Sequence, residues 1–223
     1  MLEQVYRKKL LLGLVIAFAV VAVAVTTIVV SNTDSANTLK LKAATETPAP
    51  IDERRAEVTT TLPLFHRLDA NYARGAQPAS GGIEMLERLG VKTVVDLRSI
   101  YDHTDDIGIA AERAGLQYYW LPMSVWNPPT DEQAKAFATL VRDESKGPFY
   151  VFCFDGLNRT GEMSAIYRLA HDQWSVEQAL KEMDDLGFNP YYYSLRSYVW
   201  TYARKFHPQA VPPGGRRLSP DER

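Results

Sequence analysis

The segment Phe149–Ser164, FYVFCFDGLNRTGEMS, constrains the fold more than any other stretch of the chain. Gly147-Pro148 breaks the chain ahead of FYVFC, which then reads as a buried strand ending at Cys153. Five residues, Phe154 to Asn158, separate Cys153 from Arg159-Thr160-Gly161, where a helix opens and runs to about His171. A short loop whose successive backbone N–H groups lead into a helix N-terminus makes a nest for an anion, with the positive end of the helix dipole aimed at it. Gly156 permits the tight path that such a loop requires.

Helical and strand patterns alternate around this segment. Ile83, Leu86 and Leu89 share one helix face before Gly90, and VKTVVDL, Val91–Leu97, reads as a buried strand. A short helix is expected over Ile107–Ala114, ended by Gly115, and then a strand over Gln117–Leu121, stopped by Pro122. Thr130 with Gln133 forms a capping box for a helix running to about Arg142, and Ser175 with Gln178 forms a second one for a helix that Gly187 closes. Ser194–Phe206 reads as the last helix. This alternation predicts an α/β fold whose central, parallel-rich sheet is flanked by helices on both sides.

The ends have a different character. Residues 10–30, LLLGLVIAFAVVAVAVTTIVV, carry no charge, and as a helix they would extend about 31 Å, enough to cross a bilayer core. They predict one transmembrane signal-anchor helix ahead of the folded body. A cleaved signal peptide, with Ala22 and Ala24 at the cleavage site, is the alternative, although its apolar region would run only about 7–15 residues. Arg7, Lys8 and Lys9 make residues 1–9 a basic flank that is retained in the cytoplasm, which puts the body outside it. Lys40, Lys42, Arg54 and Arg55 reduce that asymmetry. Residues 31–60, with Pro48 and Pro50, read as a linker, residues 61–207 as the domain, and residues 208–223 as a disordered tail.

A net charge of −2 supplies no electrostatic footprint for nucleic acid, so no nucleic-acid partner is expected. The single cysteine excludes an intramolecular disulfide, and no Cys/His cluster has the spacing of a zinc site. His66, His103 and His171 stand alone and are expected to be solvated or structurally satisfied, so neither a metal nor a cofactor is implied.

The chemistry that these residues support is phosphoryl transfer. The positive field of the loop and helix favours thiolate over thiol, so Cys153 can attack phosphorus. Arg159 presents a planar fork to two phosphate oxygens, with a charge that persists as negative charge develops. The amides of Phe154, Asp155, Gly156, Leu157 and Asn158 would cradle the remaining oxygens. The Thr160 hydroxyl can donate to the sulfur and make it a better leaving group in the second step.

The pattern Cys-(x)5-Arg-Thr-Gly on a strand, loop and helix resembles the signature of the protein-tyrosine-phosphatase superfamily, in its dual-specificity branch. YARGAQP at Tyr72–Pro78 and VVDLRS at Val94–Ser99 are similar to small bacterial members of that group, and the resemblance covers roughly Phe65–Trp200. It implies a cysteine-phosphatase fold, Cys153 as nucleophile, Arg159 as phosphate clamp, and hydrolysis through a cysteinyl-phosphate. The implied substrate is a protein bearing phosphotyrosine, phosphoserine or phosphothreonine, or a membrane-associated phosphate ester. With the anchor, it implies a catalytic domain on the periplasmic side of a bacterial inner membrane.

Two positions depart from that pattern. Phe152 stands where the family usually has His, which leaves the loop less firmly tied and activity lowered rather than abolished. The family's general acid is an Asp on the loop preceding the helix before the motif. Here that stretch is LPMSVWNPPTDE, with no acid before Asp131. Asp131 is the assigned acid, with Glu132 beside it, yet Asp131 equally suits the first turn of a capped helix. Asp102, Asp105, Asp106 and Asp155 are weaker candidates. Arg98 either points toward the phosphate pocket or is an exposed structural arginine. Tyr191, Tyr192, Tyr193, Tyr198 and Trp200 read as packing of the last helix. A lipid or glycan phosphatase and a pseudophosphatase that binds a phosphorylated partner remain as alternatives.

Overall fold

The structure is a computed structural model that describes residues 51–213. The expected basic flank, apolar span and first part of the linker, residues 1–50, lie outside the described residues, as do residues 214–223. Among the described residues no helix is long and apolar enough to cross a membrane.

Five strands form one sheet in the order β1-β2-β5-β3-β4. They are β1 His66–Arg67, β2 Tyr72–Ala76, β3 Thr93–Asp96, β4 Gln117–Trp120 and β5 Phe149–Cys153. β1 pairs antiparallel with β2, and the other pairings are parallel, with β5 between β2 and β3. A central parallel strand is covered on both faces, which is why FYVFC is apolar or aromatic throughout instead of alternating with polar residues. The helices are α1 Ile51–Thr61, α2 Gly82–Arg88, α3 Asp106–Arg113, α4 Asp131–Arg142, α5 Asn158–Ala170, α6 Val176–Asp185 and α7 Tyr193–Phe206.

The period-2 geometry of β5 divides the core. Phe149, Val151 and Cys153 face the cluster built with α4, α5, α6 and α7. Tyr150 and Phe152 face the opposite cluster, with Ile83, Leu86, Ile107 and Ala111 from α2 and α3. Helices therefore lie on both faces, and Cys153 emerges on the α5 side. Both predicted capping boxes form, at Thr130–Gln133 and at Ser175–Gln178.

Two boundaries are corrected. The linker expected over 31–60 is helical from Ile51 onward: Val58 packs against the second cluster, Leu62 just beyond the helix is fully buried, and Glu57 pairs with Arg88. The tail expected from residue 208 begins with a 3-10 turn, Pro208–Ala210, whose Ala210 is buried in the first cluster.

All thirteen residues of α5 are buried, as befits a helix with neighbours all round. That burial includes Glu162, which is 0% exposed and whose two carboxylate oxygens have no hydrogen-bond partner. Burial drives its pKa well above the ordinary carboxylate value of 4.5. A folded-state pKa raised above the unfolded value means that the folded chain holds the proton more tightly. Stability is therefore undiminished below pH 4.5 and falls by about 1.4 kcal/mol per pH unit above it, until the folded pKa is reached. Glu162→Gln is expected to match the native chain in stability near pH 4.5 and to exceed it increasingly toward pH 8, as read by denaturant unfolding. Parallel curves would show that Glu162 does not titrate on unfolding.

Candidate active site

The site lies at the carboxyl ends of β3 and β5, where a parallel sheet gathers its ligand-binding loops. β5 delivers Cys153, 2% exposed and free, to the start of the loop. Phe154 and Asp155 reach the surface, Gly156 turns back beneath them, and α5 starts at Asn158, two residues earlier than Thr160. Asn158 is buried, and its Oδ1 accepts from the Asn189 amide at 2.9 Å, which ties the helix start to the chain beyond α6.

Gly156 has φ +72, in the left-handed region, and a Cβ there would lie 2.4 Å from both the Ala76 nitrogen and the Gly75 carbonyl carbon. The loop is thus pressed against the end of β2. Gly156→Ala combines left-handed strain with a backbone clash and is expected to cost about 2–4 kcal/mol and to abolish phosphate binding. An unchanged denaturation midpoint would show that the loop has room that this geometry denies.

Arg74 of β2, which sequence reasoning passed over, holds the loop from within. It is 1% exposed, and its Nη2 donates to the carbonyls of Gly156 at 2.7 Å and Leu157 at 3.3 Å. Its Nε and Nη1 are buried without partners. Desolvation lowers its pKa, against the opposing pull of Tyr72 and Cys153 among others. A second guanidinium thus stands near the loop in addition to Arg159. The signal was its place in YARGAQP, a stretch whose Arg and Gly hid the fact that Tyr72–Ala76 is a fully buried strand.

Arg159 is 5% exposed and lines a pocket of about 410 Å³ together with Ser99, Ile100, Tyr101, Asp102, Met123 and Trp126, among others. Its Nη1 donates to Asp102 Oδ2 at 2.8 Å and, at 3.4 Å, to the carbonyls of Leu97 and Met123. Burial works to raise the Asp102 pKa, but Arg159 and the Ser99 hydrogen bonds outweigh it, and the carboxyl lies below the usual carboxylate range.

The remaining predicted residues are placed as follows. Thr160 is 0% exposed and its Oγ1 has no partner, so the expected bond to the Cys153 sulfur is not made in this structure. Asp131 does not line the pocket. It stands at the first position of α4, where Tyr198 donates to it at 2.9 Å and Lys205 pairs with it. Those two partners, Lys205 foremost, hold its pKa low. The helix-terminal role thus describes its surroundings, and a proton donor kept ionised by a lysine is poorly suited to acid catalysis.

Arg98 is neither in the pocket nor exposed. It is 0% exposed and grips the Asp96 carboxylate, with Nε at 2.9 Å and Nη2 at 2.6 Å from Oδ2. Phe152 fills the second cluster, with the Arg98 guanidinium 5.4 Å from its ring centre. His103 stacks on Trp120 and bonds Tyr118, while His171 bonds Asp172.

A family model described as a DSP-PTPase phosphatase fused to NAD+ kinase matches residues 59–192. The dual specificity protein phosphatase TpbA of Pseudomonas aeruginosa is 30% identical over 145 residues, which cover 65% of this chain. The aligned region spans 64% of that relative's length. A probable chloroplastic NAD kinase 2 of Oryza sativa is 33% identical over 105 residues, 45% of this chain and 11% of that protein. Among solved structures, a P. aeruginosa TpbA variant in complex with phosphotyrosine superposes with a TM-score of 0.52 at 28% identity, covering 60% of this chain and 82% of the other.

Proposed function

The chain belongs to the DSP-PTPase phosphatase family, and from that premise we propose that it hydrolyses phosphate monoesters through a cysteinyl-phosphate intermediate. The observation that carries this reading is the joint placement of Cys153 at the end of a buried strand, a short loop that runs into the start of α5, and Arg159 in the wall of a pocket.

The chemistry follows from those positions. The Cys153 thiolate attacks phosphorus in line, the sulfur–phosphorus bond forms, and the ester oxygen departs with its electron pair and a proton. Water then attacks the cysteinyl-phosphate, releasing phosphate and restoring the thiolate. Charge on the phosphoryl oxygens is met throughout by loop amides and by Arg159, so stabilisation is mainly electrostatic. No cofactor takes part in either step.

The pocket wall favours an aromatic phosphate. Ile100, Tyr101, Pro122, Met123, Val125 and Trp126 supply apolar surface, and among the described residues no lysine lines the opening. A phosphotyrosine side chain, the ligand of the TpbA complex, suits such a wall better than a multiply phosphorylated lipid or glycan headgroup. The test is hydrolysis of p-nitrophenyl phosphate by the full-length chain, with phosphate release expected at neutral pH. A folded chain with no turnover between pH 5 and pH 8 would defeat the enzyme reading. The position of Asp131, away from the pocket, favours one other reading, a pseudophosphatase that retains a phosphorylated partner; binding of a phosphotyrosine peptide without turnover is its mark.

The charge-free stretch at residues 10–30 supports anchoring to a membrane, with the catalytic domain outside the cytoplasm on the periplasmic side of a bacterial inner membrane. A reporter fused after Arg223 and active only outside the cytoplasm checks that orientation; a silent reporter on an expressed fusion would reverse it.

A further inference from the structure

We propose that Asp102 is the catalytic proton donor to the leaving group, an assignment that rests on the phosphatase reading above. Asp102 is the one carboxylate among the described residues that line the pocket, and its Oδ2 is 2.8 Å from Arg159 Nη1. Its side chain is 33% exposed, so it meets both the clamp and arriving substrate.

The other acids lie elsewhere. Asp131 is engaged by Lys205 and Tyr198, and Asp106 bonds Thr104. Asp105 is 89% exposed beside His103, and neither Glu132 nor Asp155 lines the pocket.

The loop that carries Asp102 has a firm base. The Arg98 amide and guanidinium both bond Asp96, Tyr118 donates to Asp96 at 2.7 Å, and the Trp120 indole donates to the Arg98 carbonyl at 2.9 Å. Of the groups around Asp102, Arg159 comes from α5, Ser99 and Tyr101 from its own loop, and β5 ends in Cys153 at the start of the loop that Arg159 closes.

This arrangement changes sign when a phosphate ester arrives. While Asp102 holds the guanidinium, the ion pair keeps it deprotonated. A bound phosphate claims the same guanidinium, so the carboxylate loses its counter-charge and gains an anion as a neighbour. Both changes raise its affinity for a proton. As sulfur bonds to phosphorus and the P–O ester bond breaks, the Asp102 proton passes to the departing oxygen. The resulting carboxylate then takes a proton from the water that attacks phosphorus, while the S–P electron pair returns to Cys153. Asp102 is left protonated and ready for the next cycle.

The test compares full-length native chain with Asp102→Asn on two substrates. Phosphotyrosine leaves as a phenol of pKa about 10, which needs a proton; 2,4-dinitrophenyl phosphate leaves as a far more acidic phenol, which does not. The expected result is a loss in kcat/KM, which covers only the steps up to formation of the cysteinyl-phosphate, on the order of 10²-fold or more with phosphotyrosine and less than about tenfold with the dinitrophenyl ester. The basic limb of the kcat–pH profile should vanish in the variant. Equal losses on both substrates would overturn the proposal in favour of a positioning role for Asp102 on Arg159. Unchanged or raised rates would overturn it in favour of a carboxylate that merely blocks the clamp.

A second measurement needs no variant. Across a series of aryl phosphates, log kcat/KM of the native chain should depend only weakly on leaving-group pKa, and a steep dependence would overturn the proposal independently. Failure of the phosphatase reading itself looks different, because the native chain would then not turn over even the dinitrophenyl ester.

Discussion

Cys153→Ser is expected to lower turnover of an aryl phosphate by a factor of about 10⁴ or more while leaving phosphotyrosine binding largely intact. Serine fits the space that the thiol occupies between β5 and α5, but its hydroxyl does not ionise near neutral pH. The elements proposed to bind phosphate, namely the loop amides, the start of α5 and Arg159, are untouched. The loss therefore falls on kcat, and a pre-steady-state experiment should show no phospho-enzyme. Measurement of kcat together with the Kd for a phosphotyrosine peptide separates the outcomes. Residual turnover within tenfold of native would mean that another group attacks phosphorus; loss of binding along with turnover would mean that the substitution has broken the loop.

Arg159→Lys is expected to lower kcat on the order of 10²–10³-fold. Charge is conserved, yet the planar fork is not. Arg159 in this structure sends one nitrogen to Asp102 and to the carbonyls of Leu97 and Met123. Its guanidinium can stay on the carbonyls of Leu97 and Met123 while it turns from Asp102 to a phosphate. A lysine ammonium reaches only part of that set and hydrates strongly. Because the phosphoryl group spreads its charge over three oxygens only as bonds break, the deficit should appear more in kcat than in KM. A loss confined to KM would mean that Arg159 binds the ground state and the transition state alike.

The candidate site was legible where it is local in sequence. Cys153, the loop and Arg159 lie within a few residues, and strand, turn and helix signals sit on both sides of them. Both capping boxes were readable for the same reason, since each bond is closed between residues three apart. Legibility failed where a side chain's role depends on distant neighbours. Asp131 could be read as acid or as helix start, and its lysine partner is 74 residues away. Arg74 looked like an ordinary polar residue, yet its guanidinium belongs to carbonyls 82 and 83 residues along the chain. Arg98 was expected in the pocket or in water, but a partner two residues earlier on β3, shielded by the sheet, holds it in the core. Asp102 was one of several weak candidates, because no periodicity reports where a loop bends after its strand.

Beneath the loop that follows β3, the Asp96–Arg98 pair is fully buried and braced by Tyr118 and Trp120, whereas its tip, Ile100 and Tyr101, is 65% and 90% exposed. In the proposed reading, recognition and reactivity thus reside on the same few residues but answer to different constraints. The tip can be rewritten to accept another molecular surface, since its side chains anchor nothing inside the protein. Asp102 directly after it inherits a fixed position from the base. A lineage built on this frame can change clients without relearning the reaction.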